Sequence, residues 1–249
     1  MTQTPEIPSP PLGLLSRAVG VVTSPAATFR SVVAHPRPVG ILFLVCLAMG
    51  LATGLPQFTE RGRTGALEMQ LQQTQQFSGQ PVTPEARQAM EQMSHYSGYL
   101  TLGSVFVFLP VVTILIGGFY WLVFNVILGG TAEFKQVLAV VTHSQVIAAV
   151  GAVLAAPIQY AQGVYTATGP FHLGALAAAL PPTHALARLL GALTIVGFWQ
   201  AVVTGLGLAV LYRRRSTGIV VALLIIYVSL TAFFYVVLPS LLPSAAGTR

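Results

Sequence analysis

Residues 129–146 read GGTAEFKQVLAVVTHSQV. Two glycines and a short charged stretch, with Glu133 and Lys135 in it, give way to an apolar run. Inside that run stand His143, Ser144 and Gln145. The pattern is a turn entering a helix, and it poses a choice. The polar residues form a catalytic site, an ion path, or the polar seam of a packed membrane helix.

The surrounding chain decides where such a helix sits. Of 249 residues, 54% are hydrophobic and 7% are charged. Soluble domains carry roughly 25% charged residues, and a water-soluble core of this size cannot hide so much apolar surface. The chain therefore reads as an integral membrane protein. Spanning a bilayer core takes ~20 mostly apolar residues. Five runs qualify: 39–55, closed by Pro56; 100–128, with Pro110 inside; 137–156, closed by Pro157; 189–211; and 219–238, closed by Pro239. Open strands in lipid would leave backbone groups unpaired, so all five are helices.

The single cysteine, Cys46, lies inside an apolar run and reads as a small buried hydrophobe. The formal net charge is +6, from eleven Arg and one Lys against six Glu. These charges lie mainly outside the apolar runs and form no basic face interleaved with aromatics, so no nucleic-acid partner is expected. They orient the chain instead. Arg213, Arg214 and Arg215 fill the turn between the fourth and fifth runs. If that turn is cytoplasmic, Lys135, Arg17, Arg30 and Arg37 share its side, giving seven basic residues there. Arg61, Arg63, Arg87, Arg188 and Arg249 make five on the other side. The expectation is a cytoplasmic N-terminus and a periplasmic C-terminus. The preference for Arg over Lys fits a GC-rich bacterial genome. Arg17 interrupts the apolar stretch 12–22 and no basic segment precedes it, so a cleaved signal is not expected.

The N-terminal segment reads as interfacial. Leu12, Leu15, Val19 and Val22 recur at helical spacing. Ser24-Pro25 suits a helix start, and the helix should end before Pro36. Phe29, Val32 and Val33 would dip into the headgroup boundary, or pack on the end of the bundle, with Arg30 wet. In the outer loop 57–99, Thr83-Pro84-Glu85 is a helix start. Met90, Met93 and Ser97 should share a face of that helix. In the second outer loop, FHLGALAAAL (171–180) is too short to span and fits a surface or re-entrant helix. His172 and His184 flank it without a nearby Cys or carboxylate, which is a poor metal pair.

Packing needs small residues. Gly197, Ala201, Gly205 and Ala209 recur every four residues in the fourth run, and Ala148, Ala152 and Ala156 do so in the third. Counted from the adjoining turns at 1.5 Å per residue, Asn125 lies ~7 Å deep, His143 and Thr204 ~12 Å, and Gln200 ~18 Å. Asn125, His143, Gln145, Gln200 and Thr204 are thus candidates for one intramembrane polar cluster. A hydrogen-bonded seam is the first reading, and a proton or ion path is the second, because ionisable groups in a membrane are expensive to keep. Catalysis is disfavoured. No span contains a carboxylate, no His-Glu-x-x-His or GxSxG motif occurs, and Ser144 points away from His143 on a helix. No catalytic residue, metal or cofactor is expected.

Three stretches carry a family likeness: SPAATFRSVVAHP (24–36), TPEARQAMEQM (83–93) and LGGTAEFKQVLAVVTHSQV (128–146). With the five-run layout they resemble the bacterial branch of the Yip (Ypt-interacting protein) domain family, over most of residues 14–240. Gly129-Gly130 and Phe134-Lys135-Gln136 are the strongest part of the match. The resemblance implies a five-span topology and membrane residence. Eukaryotic members bind small Rab-type GTPases, but their Asp-Leu-Tyr-Gly-Pro motif is absent from this sequence, so that partner is not carried over.

The reading is an all-α polytopic membrane bundle of five transmembrane helices preceded by an interfacial amphipathic helix. Residues 1–11 form a disordered tail, 12–38 cytoplasmic interfacial helices, 39–240 the Yip-like membrane domain, and 241–249 a second tail. The expected function is non-enzymatic organisation of membrane or partner proteins in the bacterial inner membrane, with a membrane-protein partner or a second copy. The alternative is a small transporter or proton-linked permease with His143 in its path.

Overall fold

The computed structural model describes residues 13–241 except 79, 167, 182 and 183. The expected tails, apart from Leu241, and Leu12 lie outside the described residues. Among the described residues eleven α-helices follow in chain order: α1 (Leu14–Thr23), α2 (Pro25–Ala34), α3 (Pro38–Gly54), α4 (Glu60–Ser78), α5 (Pro84–Ser94), α6 (Ser97–Trp121), α7 (Phe134–Gln162), α8 (Ala185–Ala192), α9 (Ile195–Tyr212), α10 (Ser216–Ala232) and α11 (Leu238–Leu241). Five helical stretches are long and apolar enough to cross a membrane: Pro38–Phe58, Ser97–Ile127, Phe134–Gln162, Ile195–Tyr212 and Ser216–Leu241. The second and fifth include π-helical turns, Leu122–Ile127 and Phe233–Val237.

α7 is the central helix. Two thirds of its apolar window (67%) is buried, against 11% for the spans of α6 and α10. Val137, Val140, His143 and Ile147 on α7 are fully enclosed. A helix surrounded by others must satisfy its polar side chains internally on every face, which is why His143, Ser144 and Gln145 can follow one another there. Thr142, His143 and Ser144 turn to carbonyls of their own preceding turn.

Several span limits differ from the sequence expectation. Pro157 does not close the third span, for α7 runs through it to Gln162 and stops at Gly163, whose φ of 68° is the left-handed conformation that ends helices. One missing ladder bond costs less than ending a helix inside an apolar medium. Pro239 likewise sits within the final helical stretch. The fourth span begins at Ile195 rather than residue 189. Leu193 and Thr194 are extended, and the Thr194 side chain caps α9 by accepting from the Gly197 amide at 2.9 Å.

α1, α2 and the α6–α7 and α9–α10 turns share one end of the bundle. Gln136 Nε2 donates to Val33 O (3.4 Å), and Arg214 donates to Leu128 O (2.8 Å). α2 packs on this end: Phe29 and Val32 are fully buried, and Phe29 lies against Gly207 of α9. α1 has two faces, with Leu15 and Val19 exposed and Arg17 and Val21 turned inward. Burial, and next the Arg37 charge, hold the Arg17 guanidinium below its ordinary pKa.

The opposite end carries α4 and α5. Arg61 donates to Ala161 O (2.6 Å) and stacks over the Tyr160 ring. Arg87 of α5 joins Glu68 of α4 (3.1 Å) and Glu91 (3.0 Å), which keeps its guanidinium above its usual pKa, Glu91 contributing most. Such exposed pairs contribute little to stability. Thr83 caps α5 as expected, but α5 stops at Ser94, so Met93 and Ser97 do not share one helix. The 171–180 segment forms only a short 3-10 turn, Leu173–Ala177.

Candidate functional site

The five polar candidates separate into three places, so they do not form one cluster. The separation follows from helix phase. At 3.6 residues per turn, His143 and Gln145 stand about 200° apart on α7.

Asn125 secures the turn at the entrance to α7. Its Nδ2 donates to Ala132 O (2.6 Å), and its Oδ1 accepts from the Tyr212 hydroxyl of α9 (2.8 Å). Trp121 Nε1 donates to the same Ala132 carbonyl (3.1 Å), and the Phe124 and Tyr212 rings stack at 4.7 Å. Gly129 adopts φ 68°, and the Gly130 amide reaches Phe124 O at 2.8 Å. A Cβ on Gly130 would collide with Tyr212 and the Phe124 carbonyl, so both glycines of the quoted motif are required by geometry. Glu133 is the N-cap of α7 itself. Its side chain accepts from the Gln136 amide while Gln136 Oε1 accepts from the Glu133 amide (3.0 Å), a reciprocal capping box. Phe134 and Lys135 face outward. The family-like residues are thus a turn-and-cap device.

Gln145 meets Thr113 of α6 instead of His143. Its Nε2 donates to Thr113 Oγ1 (2.7 Å), and that hydroxyl donates to Leu109 O (2.6 Å). Thr113 is fully buried, and a lone threonine in a long apolar run gave no sequence signal. Gln145, Gln200 and Thr204 line a cavity of about 260 Å³ together with Tyr120 and Tyr227. Thr204 is satisfied by Gln200 O of its own helix (2.7 Å). The Tyr227 hydroxyl accepts from the Thr194 amide (3.0 Å) and anchors the α8–α9 break to α10.

Gln200 and Gly197 also line a larger cavity of about 580 Å³ among α3, α4, α7 and α9. Its wall includes Ala148, Ala152 and Ala156, the small ridge of α7. Two glycines of the α9 ridge face other side chains or backbone closely. A Cβ at Gly205 would meet Val220 of α10, and one at Gly197 would meet Tyr227. Ala209 is buried and Ala201 lines the smaller cavity.

His143 lies apart from both cavities. Nδ1 is 2.7 Å from Ala139 O and, since a carbonyl only accepts, Nδ1 carries the proton. Nε2 is buried and has no hydrogen-bond partner among the described residues. The ring lines a third cavity, of about 280 Å³, with Arg17 and Arg37.

His172 and His184 serve as caps. His172 Nδ1 accepts from Gly174 and His184 Nδ1 from Leu186. Among the described residues, no three His, Cys, Asp or Glu side chains gather as metal ligands.

Five apolar spans, one of them the buried α7, with a glycine turn locked to α9, define a polytopic α-helical membrane protein. The chain belongs to the Yip1 family, whose Yip1 domain matches residues 19–238. No curated protein and no solved structure matches the chain.

Proposed function

We propose that the protein is a non-enzymatic Yip-type organiser of the bacterial inner membrane, acting through a membrane-protein partner or a second copy of itself. The observation that supports this reading is how its intramembrane polar groups are used. Asn125, Gln145 and Thr204 are engaged with other helices or with backbone, as in a structural seam. Purification in mild detergent, with light scattering and mass spectrometry of the eluted species, tests it. A stoichiometric self-assembly or hetero-assembly is expected, and a strict monomer without a stoichiometric companion counts against it.

Alternation of spans and the basic residues at the α1–α2 end support a cytoplasmic N-terminus and a periplasmic C-terminus. A periplasm-active reporter fused after Arg87 should be active, and one fused after Arg215 inactive. The reverse pattern overturns this orientation.

One observation favours the second reading, a proton-linked permease: the partnerless Nε2 of His143 faces a cavity. Reconstituted vesicles should then show pH-dependent flux that His143→Gln abolishes. Absence of flux in the parent protein dismisses the permease.

A further inference from the structure

We propose that the groove between α6 and α10 binds an uncharged lipid whose polar end carries two oxygens. α6 packs on α7, α7 on α9 and α9 on α10, so α7 and α9 form the floor and the outer two helices form the rims. The groove has a volume of about 260 Å³. That is just below the ~300–1,000 Å³ of sites for drug-sized ligands, which suits a polar end whose chains stay in the bilayer. The lining residues stand well away in sequence from the undescribed ones.

Two polar side chains of this lining are uncommitted. Gln145 is bonded to Thr113, Thr204 to its own helix, and Tyr227 to the Thr194 amide. The Gln200 amide and the Tyr120 hydroxyl line the groove with no hydrogen-bond partner among the described residues. Counted along their helices from the α6–α7 and α9–α10 turns, Gln200 lies ~18 Å deep and Tyr120 ~10 Å. An amide left unpaired in an apolar medium is expensive, and a ligand that bonds it removes that cost. The ~8 Å between the two groups along the helix axes calls for oxygens at two points of the ligand, not for a single hydroxyl.

Charge sets the rest of the specificity. No described lining residue is charged. A phosphate would sit there without a counter-charge, so the ligand is uncharged. The rims carry Ile116 of α6 and Ile226 and Leu230 of α10, all exposed. Acyl or isoprenoid chains can lie along them. Side chains of this size also hold a second helix at a distance, because close helix contact in a membrane uses small residues. The occupant is therefore a lipid and not a helix of another protein.

The test uses the full-length protein in mild detergent, with native mass spectrometry for bound lipid and a melting curve for stabilisation. The probes are dioleoylglycerol, a short-chain ubiquinone, dioleoyl phosphatidic acid and squalene. Dioleoylglycerol or the quinone should be retained and should raise the melting temperature, and the better retained of the two names the source. Phosphatidic acid has the same chains with a charge, and squalene has no oxygen, so neither should be retained. Gln200→Leu removes the amide at similar volume. Without lipid it should melt at least as high as the parent, since the amide has no bond to lose, and it should bind the retained probe about tenfold more weakly. Tyr120→Phe removes only the hydroxyl, should weaken binding severalfold, and decides the matter if Gln200→Leu fails to fold. Equal retention of phosphatidic acid, unchanged binding by the folded variants, or no retention of either uncharged oxygen-bearing probe overturns the proposal. A changed oligomer distribution in Gln200→Leu with lipid retention unaltered assigns the groove to a second copy and overturns it as well.

Discussion

Replacing Gly205 by Leu is expected to leave the protein in the membrane yet lower its melting temperature in detergent by on the order of 5 °C. An ideal Cβ at Gly205 lies 2.8 Å from Val220 Cγ2, 2.9 Å from Val220 Cα and 3.2 Å from Val220 N. Two of those three atoms are backbone, so α10 cannot yield by a rotamer change. It must move away from α9 along the contact. Overpacking of this kind costs ~1–3 kcal/mol, and in lipid no hydrophobic drive between helices offsets the lost contact. Insertion itself should survive, since Leu is more favourable than Gly at the centre of a span. Gly205→Ala should fall between parent and Gly205→Leu. Thr217→Leu, at an exposed position near the start of α10, should change little. The readouts are the melting curve and the oligomer distribution by size-exclusion chromatography. A Gly205→Leu protein as stable as the parent would mean that α9 and α10 do not approach closely at Val220.

That contact was legible in sequence because small residues every four positions leave a stripe along one helix face. The five spans were legible for an equally local reason, since an apolar run of ~20 residues has one stable fate in a bilayer. What stayed hidden depended on tertiary partners. α4 has a polar composition and two interior glycines, Gly62 and Gly65. Both are explained only by what they touch: Gly62 passes the Pro56 carbonyl and Gly65 passes the Tyr165 ring. The prolines misled because soluble-protein rules end helices there, while helices in an apolar medium run on. His143 and Gln145 are both buried on α7, but inward has several directions on a helix enclosed by others. Helix phase separates His143 from Gln145, and only the fold pairs Gln145 with Thr113 and His143 with the arginines of α1 and the α2–α3 linker. Arg17, which in sequence only interrupts the apolar stretch 12–22, is one of the buried residues. The apolar spacing around it marked a face of α1 but not which way that face turns.

The second large effect is expected at Asn125, the residue that ties the α6–α7 turn to α9. Asn125→Leu keeps the side-chain volume and removes both hydrogen bonds. The Ala132 carbonyl retains the Trp121 indole as a donor, so it is not orphaned. The Tyr212 hydroxyl loses its acceptor in a partly buried site. Leaving such a group unsatisfied costs ~1–3 kcal/mol. Tyr212→Phe removes the same bond from the other side and leaves no stranded hydroxyl, so it should cost less. In the double variant the stranded group is absent, and the combined loss should fall short of the sum of the single losses, with a coupling of ~0.5–3 kcal/mol. The damage should also be local. The turn is held by the Gly130 amide on Phe124 O and by Arg214 on Leu128 O, and both depend on the strand of chain that Asn125 positions. Hydrogen exchange in Asn125→Leu should therefore accelerate at residues 128–134 and at the C-terminal turn of α9, while the middle of α7 keeps its protection. Additive losses in the double variant, or uniform acceleration along α7, would show that Asn125 does not connect the turn to α9.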